Sequence, residues 1–236
     1  MAILTAHPSR NGDRVSNYLA MLGHACSDIN QGALSAVLPF LVVDGYSYTQ
    51  AVMLVFAANI VSAVVQPLFG WISDRRACPW FMGLGVLLAG AGMAGIGWAD
   101  SYPLIVISAL VCGFGVAMFH AEGGRISNLA AGARKGNGMS IFAVGGNVGF
   151  FIGPIMAAVS LSVFGMHGLA VFLVPTALCA AALFLHNGRF KALNAVTASD
   201  AAVMERPERW GLFGLVMVTL SLRSVLSYGF MAFIPL

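Results

Sequence analysis

Seven long apolar runs divide this chain, and they limit its possible folds more than any other feature. A helix rises 1.5 Å per residue, so a run of about 20 apolar residues can cross the hydrocarbon core of a bilayer. The predicted spans are 18–42, 49–73, 80–98, 103–123, 138–164, 168–186 and 211–236. We therefore expect an all-α integral membrane protein embedded in a lipid bilayer.

Composition supports the membrane class and excludes several others. Hydrophobic residues make up 59% of the chain and charged residues only 9%, whereas soluble domains contain about 25% charged residues. The basic residues occupy short segments instead of one face with interleaved aromatics, so we expect no nucleic-acid partner. No nucleophile–base pair and no metal-ligand spacing occurs near a predicted membrane surface, so we expect neither an enzyme nor a metal site.

Lysine and arginine predict the orientation of the spans, because cytoplasmic loops are enriched in both. Eleven of the 12 basic residues fall in the N-terminal tail and in the second, fourth and sixth loops. They are Arg10, Arg14, Arg75, Arg76, Arg125, Arg134, Lys135, Arg189, Lys191, Arg206 and Arg209. We expect a multi-pass protein of the cell (inner or plasma) membrane with a cytoplasmic N-terminus.

The sixth loop differs from the others because it is long and polar. We interpret residues 187–209 as a cytoplasmic linker, preceded by a cytoplasmic tail (1–17) and a six-helix bundle (18–186). Residues 210–236 would then form the first helix of a second bundle. Because that helix reaches the last residue, we expect that the rest of the second bundle is missing from this chain.

The first span carries a polar stripe. His24, Asp28, Gln31 and Ser35 are spaced by 4, 3 and 4 residues, so they share one face of a helix. This face should point to the protein interior or a water-filled cavity, because a charge in the bilayer centre costs about 3 kcal/mol. We predict that Asp28 binds and releases a proton, coupled to His24. The alternative is a structural hydrogen bond from Asp28 to a neighbouring helix.

Other charged residues lie within or at the ends of predicted spans. His120, Glu122 and Arg125 form a candidate polar cluster near the cytoplasmic end of the fourth helix, although Glu122 could simply pair with Arg125. Arg223 lies in the middle of the seventh span, where a buried guanidinium needs an anionic partner. That partner could be Asp28, an anionic substrate or a part of the protein outside this chain.

Three uncharged polar residues complete the candidate cavity. Asn59 and Gln66 lie on the second helix, and Asn147 lies on the fifth. We expect each of them to line the cavity, but hydrogen bonds between packed helices explain them equally well.

The sequence GWISDRR ends the second helix and contains Gly70, Asp74 and Arg75. A glycine allows close approach of a neighbouring helix, and the two charged side chains can bind the ends of other helices. We predict a gating latch. The alternative is a basic cytoplasmic loop that happens to contain an aspartate.

The sequence GNVGFFIGP lies in the fifth helix. Gly145, Gly149 and Gly153 are spaced by four residues and form one small-residue face, followed by Pro154. Such a face allows another helix to pack against the backbone, and the proline bends the helix. We predict a helix-packing motif.

These motifs resemble those of the major facilitator superfamily. GWISDRR is similar to the first half of that family's loop signature, GxxxD(R/K)xGR(R/K), whereas Ala77, Cys78 and Pro79 replace the Gly-Arg-basic triplet of the second half. The glycines and proline of the fifth helix look like an antiporter motif of the same superfamily.

Two further stretches resemble the fosmidomycin-resistance branch of this superfamily. In MFHAEGGRISNLAAGARKGNGMSIFAVGGNVG, a Phe-His pair, an acid, glycine and an arginine close the fourth helix, and HACSDINQ is similar to the branch's first helix. Many drug antiporters have an arginine in the middle of the fourth helix, where this chain has Ala109. The polar function is therefore expected from other residues, and the candidates are His24, Asp28, His120, Glu122 and Arg125.

The resemblance implies a major facilitator fold, with an N-terminal bundle of two inverted three-helix repeats plus one helix of an incomplete second bundle. It also implies proton-coupled efflux of a small toxic compound or antibiotic, with the proton gradient as energy source and no bound cofactor. We expect the complete protein to act as a monomer on a small-molecule substrate. Two alternatives stay open, a proton-coupled metabolite uptake symporter and a truncated or split fragment that does not transport.

Overall fold

The computed structural model describes residues 12–201 and 210–233, and the regular elements in these ranges are helices. In chain order they are α1 (Arg14–Val43), α2 (Tyr48–Arg75), α3 (Trp80–Trp98), α4 (Tyr102–Ala130), α5 (Lys135–Phe164), a 3₁₀ helix (Gly165–Phe172), α6 (Leu173–Leu185), α7 (Asn187–Ala201) and α8 (Trp210–Phe233). The prediction of an all-α membrane fold is confirmed.

Five stretches of the described residues are long and apolar enough to cross a membrane. Four of them are α1 to α4, and the fifth is the continuous stretch Lys135–Leu185, which contains α5, the 3₁₀ helix and α6. Gly165 ends α5 with a φ of +60°, a conformation that glycine adopts without the steric cost of a Cβ atom. A shorter apolar stretch, Trp210–Arg223, lies in α8.

Side-chain caps determine where the first two helices begin. The Asp13 carboxylate accepts a hydrogen bond of 3.2 Å from the backbone N–H of Ser16, so α1 begins at residue 14 instead of at residue 18, where the predicted span starts. Ser47 and Gln50 form a reciprocal cap before α2, each side chain accepting a hydrogen bond from the other residue's backbone N–H. Such caps satisfy N–H groups that have no partner within the helix.

The first helix occupies the centre of the bundle and packs against α3, α4, α5 and α6. The glycine face of α5 lies directly on the α1 backbone. A Cβ atom on Gly149 would lie 2.5 Å from the carbonyl oxygen of Ala25, and Cβ atoms on Gly145 and Gly153 would also overlap α1 carbonyl oxygens. The glycine spacing therefore gives α5 a close-packed face, whose partner is α1. Pro154 follows this face and is half-buried.

The chain divides into two compact units between Thr197 and Ala198. The first unit contains α1 to α6 and most of α7, and the second contains α8, on which Arg223 lies. The division falls within residues 187–209, which the sequence predicts as a linker, and α7 occupies the beginning of that segment. The predicted pairing of Arg223 with Asp28 stays a prediction, as do the predicted domain boundaries.

The beginning of α7 is attached to the beginning of α1. The Arg189 guanidinium donates two hydrogen bonds to the Asp13 carboxylate, of 2.6 and 2.7 Å. The next residue, Phe190, is fully buried in an apolar cluster that also contains Ala20 and Leu183. One charged and one apolar contact therefore hold α7 against the bundle.

Acidification is expected to weaken the Asp13–Arg189 contact. Partial burial acts to raise the pKa of the Asp13 carboxyl, but hydrogen bonds from Arg189 and Ser16 outweigh this effect and lower that pKa below its ordinary value of 3.8. A carboxyl whose pKa is lower in the folded than in the unfolded chain stabilises the fold above the unfolded value, and this contribution disappears as the pH falls through the folded value.

The measurement is the thermal unfolding midpoint of the chain and of Arg189→Gln between pH 7 and pH 2. We expect a lower midpoint for Arg189→Gln above pH 4, and a difference that vanishes toward pH 2. Lys191→Gln is the matched control, because it removes a positive charge from an exposed position of the same helix. Equal midpoints for Arg189→Gln and Lys191→Gln at pH 7 would contradict the prediction.

Candidate functional site

Two histidines and one aspartate meet in the interior of the bundle, and we refer to His24, Asp28 and His120 as the histidine–aspartate cluster. The Asp28 carboxylate oxygens lie 3.2 Å from His24 Nε2 and 3.1 Å from His120 Nε2. The two Nε2 atoms are themselves 3.1 Å apart. The Asp28 side chain is only 3% exposed, whereas those of His24 and His120 are 12% and 19% exposed. The cluster connects α1 to α4.

Backbone carbonyl groups orient both imidazole rings. His24 Nδ1 donates to the Phe142 carbonyl oxygen at 2.7 Å, and His120 Nδ1 donates to that of Val116 at 2.8 Å. A carbonyl oxygen only accepts, so each Nδ1 carries a hydrogen, and the Nε2 atom of a neutral ring is then an acceptor. Two such acceptors and a carboxylate therefore face one another at hydrogen-bond distance.

Aromatic rings and a glycine form the walls of the cluster. The His24 ring stacks on Phe142 with centroids 4.0 Å apart and meets the His120 ring edge to face at 4.8 Å. On the α5 side, a Cβ atom on Gly146 would lie 2.7 Å from His24 Nε2 and 2.8 Å from Asp28 Oδ2. Any larger residue at position 146 would displace the cluster. Three helices, α1, α4 and α5, therefore fix its geometry.

The same three side chains could hold a small cation. Each offers one ligand atom, and these atoms lie within 4.8 Å of one another. Imidazole nitrogen and carboxylate oxygen are ordinary ligands of transition metals such as zinc. The expectation that this protein uses no metal stays a prediction.

The uncharged polar residues of the predicted cavity lie at different places. Gln31 Nε2 donates a hydrogen bond of 3.0 Å to Asn59 Oδ1, which connects α1 to α2. Asn59 in turn donates to the Val55 carbonyl oxygen of its own helix at 2.9 Å. Asn147 is exposed on α5. The Gln31–Asn59 bond joins two helices, and whether these residues also line a cavity stays a prediction.

An open groove between α2 and α4 gives access to the cluster. It has a volume of about 550 Å³ and includes Gln66 and Gly70 from α2, and His120 and Arg125 from α4. These four residues were predicted as parts of three separate groups, and the structure brings them together on one surface. His120 thus contacts Asp28 with its Nε2 atom and also borders the groove.

The charged residues of the GWISDRR sequence are exposed at the end of α2 and just after it. A Cβ atom on Gly70 would meet nothing within 4 Å among the described residues, so the close helix approach predicted there is not present in this bundle. The Arg75 guanidinium lies 3.8 Å from the centre of the Trp71 ring. Asp74 is exposed, and the gating role of this sequence stays a prediction.

Glu122 and Arg125 form a separate ion pair. Arg125 donates two hydrogen bonds to the Glu122 carboxylate, of 3.1 and 2.8 Å. The Glu122 side chain is fully buried, and that of Arg125 is 22% exposed. The sequence grouped His120 with this pair, but residues two apart on a helix point to nearly opposite sides. That spacing was the available signal that His120 and Glu122 belong to different sites.

We expect Arg125→Met to lower the free energy of unfolding by about 2 kcal/mol, because it leaves the Glu122 carboxylate buried without its cation. The matched control is Arg125→Met combined with Glu122→Gln, which removes both charges and should recover most of the loss. The measurement is the unfolding midpoint in detergent. A double variant as unstable as the sum of the two single variants would contradict a direct pair.

Two further polar residues of α1 escaped prediction. Ser27 and Asn30 are fully buried, but they lie outside the regular spacing that defined the polar stripe. Asn30 Nδ2 donates to the Cys26 carbonyl oxygen at 2.8 Å. Conversely, Ser35 belongs to the predicted stripe and is exposed.

Comparisons with known proteins agree on one family. A family model described as Major Facilitator Superfamily matches residues 20–236. An uncharacterized MFS-type transporter, YfnC of Bacillus subtilis (strain 168), is 34% identical over 177 residues, which are 74% of this chain and 43% of that protein. The fosmidomycin resistance protein of Escherichia coli (strain K12) is 30% identical over 154 residues, 65% of this chain and 38% of that protein. The matches thus cover about two fifths of each curated relative.

Proposed function

Because this chain belongs to the Major Facilitator Superfamily, we propose that it forms part of a transporter that expels a small toxic compound or antibiotic in exchange for protons. The fosmidomycin resistance protein among its relatives supports an efflux function. The energy source is the proton gradient, and the location is the cell membrane with the N-terminus in the cytoplasm. The complete transporter acts as a monomer on a small-molecule substrate.

The histidine–aspartate cluster is the observation that carries the proton coupling. Its three contacts of 3.1 to 3.2 Å are hydrogen-bond lengths. If both histidines were neutral, the lone pairs of two Nε2 atoms would face each other and the Asp28 carboxylate. A proton on one Nε2 atom gives the cluster a donor, which can point to the other ring or to the carboxylate, and its positive charge balances that of Asp28. We therefore assign one proton to the cluster in the conformation described here.

Gain or loss of a proton changes the contact between helices. With a second proton, the two Nε2 atoms would both be donors and could not bond to each other, and with none they would both be acceptors. A second proton would replace the contact between the two rings by a hydrogen bond from each ring to one Asp28 oxygen. Loss of the proton would leave only acceptors facing one another and would weaken the connection between α1 and α4. Both changes also act on α5 through the Phe142 carbonyl group. Proton binding can shift a conformational equilibrium only through such a difference in contacts between two states.

The groove between α2 and α4 supplies a route to the cluster. His120 borders both, so a proton or a polar substrate group that enters the groove reaches the cluster through this ring. Gln31 lies on α1, as Asp28 does, and Asn59 lies on α2, which borders the groove. We therefore include the Gln31–Asn59 pair in the substrate cavity, together with Gln66 and Asn147. Gly70, Asp74 and Arg75 then control access at the basic end of α2.

The test is transport by the complete protein in proteoliposomes, with radiolabelled fosmidomycin as the probe. A proton gradient with an acidic interior should drive accumulation of the probe inside, because protons leave as the probe enters. Accumulation only with an acidic exterior would indicate an uptake symporter and contradict efflux. No proton-dependent accumulation of fosmidomycin, together with no drug protection in cells, would contradict the proposal as a whole.

A further inference from the structure

A cationic pocket lies where the start of α1 meets the end of α4 and the start of α5. It shares no residue with the histidine–aspartate cluster. We call it the two-arginine pocket. It has a volume of about 280 Å³, and its walls include Arg14, Asn17, Tyr18, Arg134, Asn137 and Ile141. We propose that this pocket binds a phosphate group, carried either by an anionic lipid headgroup or by a soluble phosphate ester.

The floor of the pocket is fixed by buried hydrogen bonds. Ser127 Oγ donates to Asn17 Oδ1 at 2.7 Å and lies 3.3 Å from the Gly138 carbonyl oxygen. Ser127 is fully buried and Asn17 is 5% exposed. These contacts join α1, α4 and α5, and Asn17 and Gly138 line the pocket. A rigid floor means that little ordering is needed when a ligand binds.

The residues that line the pocket carry positive charges and no negative charge. Arg14 and Arg134 contribute two guanidinium groups, and none of the residues that line the pocket is acidic. The adjacent carboxylate of Asp13 is engaged by Arg189. Arginine presents several N–H donors in a planar fork that matches the oxygens of a phosphate group.

The beginning of α5 adds to this positive charge. Arg134 occupies the N-cap position of a 30-residue helix and provides no side-chain cap. The first N–H groups of such a helix lack intrahelical partners, and the helix dipole places positive charge at this end. Asn137, in the first turn, lines the pocket. The helix end thus reinforces a site that the two arginines already define.

Size and position favour a headgroup over a drug-sized ligand. Pockets for drug-sized ligands range from about 300 to 1,000 Å³, and this pocket lies just below that range. Tyr18 is 53% exposed beside it, near the start of a membrane-spanning helix. Tyrosine and arginine at helix ends lie at the depth of lipid phosphates, and basic pockets between helices bind acidic headgroups.

The experiment uses the purified full chain in detergent, titrated separately with phosphatidylglycerol, phosphatidylcholine and inorganic phosphate. Native mass spectrometry counts bound lipid, and the unfolding midpoint reports stabilisation by each additive. Combined Arg14→Gln and Arg134→Gln substitution should weaken phosphatidylglycerol binding about tenfold or more, since each basic residue contributes to attraction of an acidic headgroup. Arg76→Gln is the matched control, because it removes an exposed arginine after α2, outside the pocket.

The outcomes separate the two sources of phosphate. Phosphatidylglycerol binding that is lost in the double variant and kept in Arg76→Gln supports a lipid site. Stabilisation by inorganic phosphate with the same dependence, and no preference among lipids, supports a soluble ester. Equal binding of every additive by the double variant, Arg76→Gln and the unchanged chain would overturn the proposal.

A charge-conserving variant guards against a folding defect. Combined Arg14→Lys and Arg134→Lys substitution keeps both charges but removes the planar forks, so it should fold and bind phosphatidylglycerol more strongly than the double glutamine variant. In the unchanged chain, inorganic phosphate should displace phosphatidylglycerol from the pocket. Absence of both effects would overturn the proposal even without the glutamine variant.

Discussion

Replacement of Asp28 by asparagine is expected to abolish proton-driven transport by the complete protein, to the level of empty liposomes. Asparagine has nearly the same shape, so the packing of α1 against α4 and α5 should persist. It cannot hold a negative charge, however, and the histidine–aspartate cluster would lose the group that balances a shared proton. Exchange of labelled for unlabelled substrate without a gradient should continue, because that process requires no change in protonation.

The matched control is Asp44→Asn, the same substitution at the exposed end of the same helix. It should leave proton-driven transport unchanged. His120→Asn should reduce proton-driven transport as well, because its ring closes two of the three contacts of the cluster. Proton-driven accumulation by Asp28→Asn equal to that of Asp44→Asn would show that the cluster is structural and that coupling occurs elsewhere.

Gly149→Val is expected to cause the largest loss of stability, about 3 kcal/mol, which is the upper part of the usual range for overpacking. Its Cβ atom would lie 2.5 Å from the Ala25 carbonyl oxygen and 2.8 Å from Asp28 Cβ. The first of these atoms belongs to the backbone, so the clash is relieved only if α5 moves away from α1. That movement would also withdraw the Phe142 carbonyl group from His24.

The measurement is the free energy of unfolding in mixed detergent micelles, followed by circular dichroism. The matched control is Gly136→Val near the start of the same helix, where an added Cβ atom meets nothing within 4 Å among the described residues. It should change stability by less than about 0.5 kcal/mol. A loss of stability for Gly149→Val no larger than that for Gly136→Val would contradict the close packing of α5 against α1.

The apolar runs predicted the helices well because each run must satisfy its backbone hydrogen bonds internally in lipid. The boundaries were less accurate where a polar cap extends a helix beyond its apolar part, as Asp13 does for α1. The glycine spacing in the fifth helix predicted a close-packed face. It could not identify α1 as the partner, because spacing within one helix contains no information about its neighbours.

The candidate site was predicted only in part, because spacing within one helix does not show which other helices pack against it. His24 and Asp28 lie one turn apart on one helix, so their contact follows from helical geometry. His120 is 96 residues from His24 and Phe142 is 118 residues away. Their positions depend on how three helices pack, and the orienting group of Phe142 is its backbone carbonyl, which no side-chain pattern reveals.

The contact between Asp13 and Arg189 has a consequence for counting passages through the bilayer. A chain segment whose two ends touch each other begins and ends on the same side, so it must cross an even number of times. Between these two residues lie four single apolar helices and the 51-residue stretch Lys135–Leu185. As helix, 51 residues would extend about 76 Å, more than twice the hydrocarbon thickness of about 30 Å. Parity therefore excludes a single crossing by this stretch, and its length allows two, so we expect six passages in the first unit.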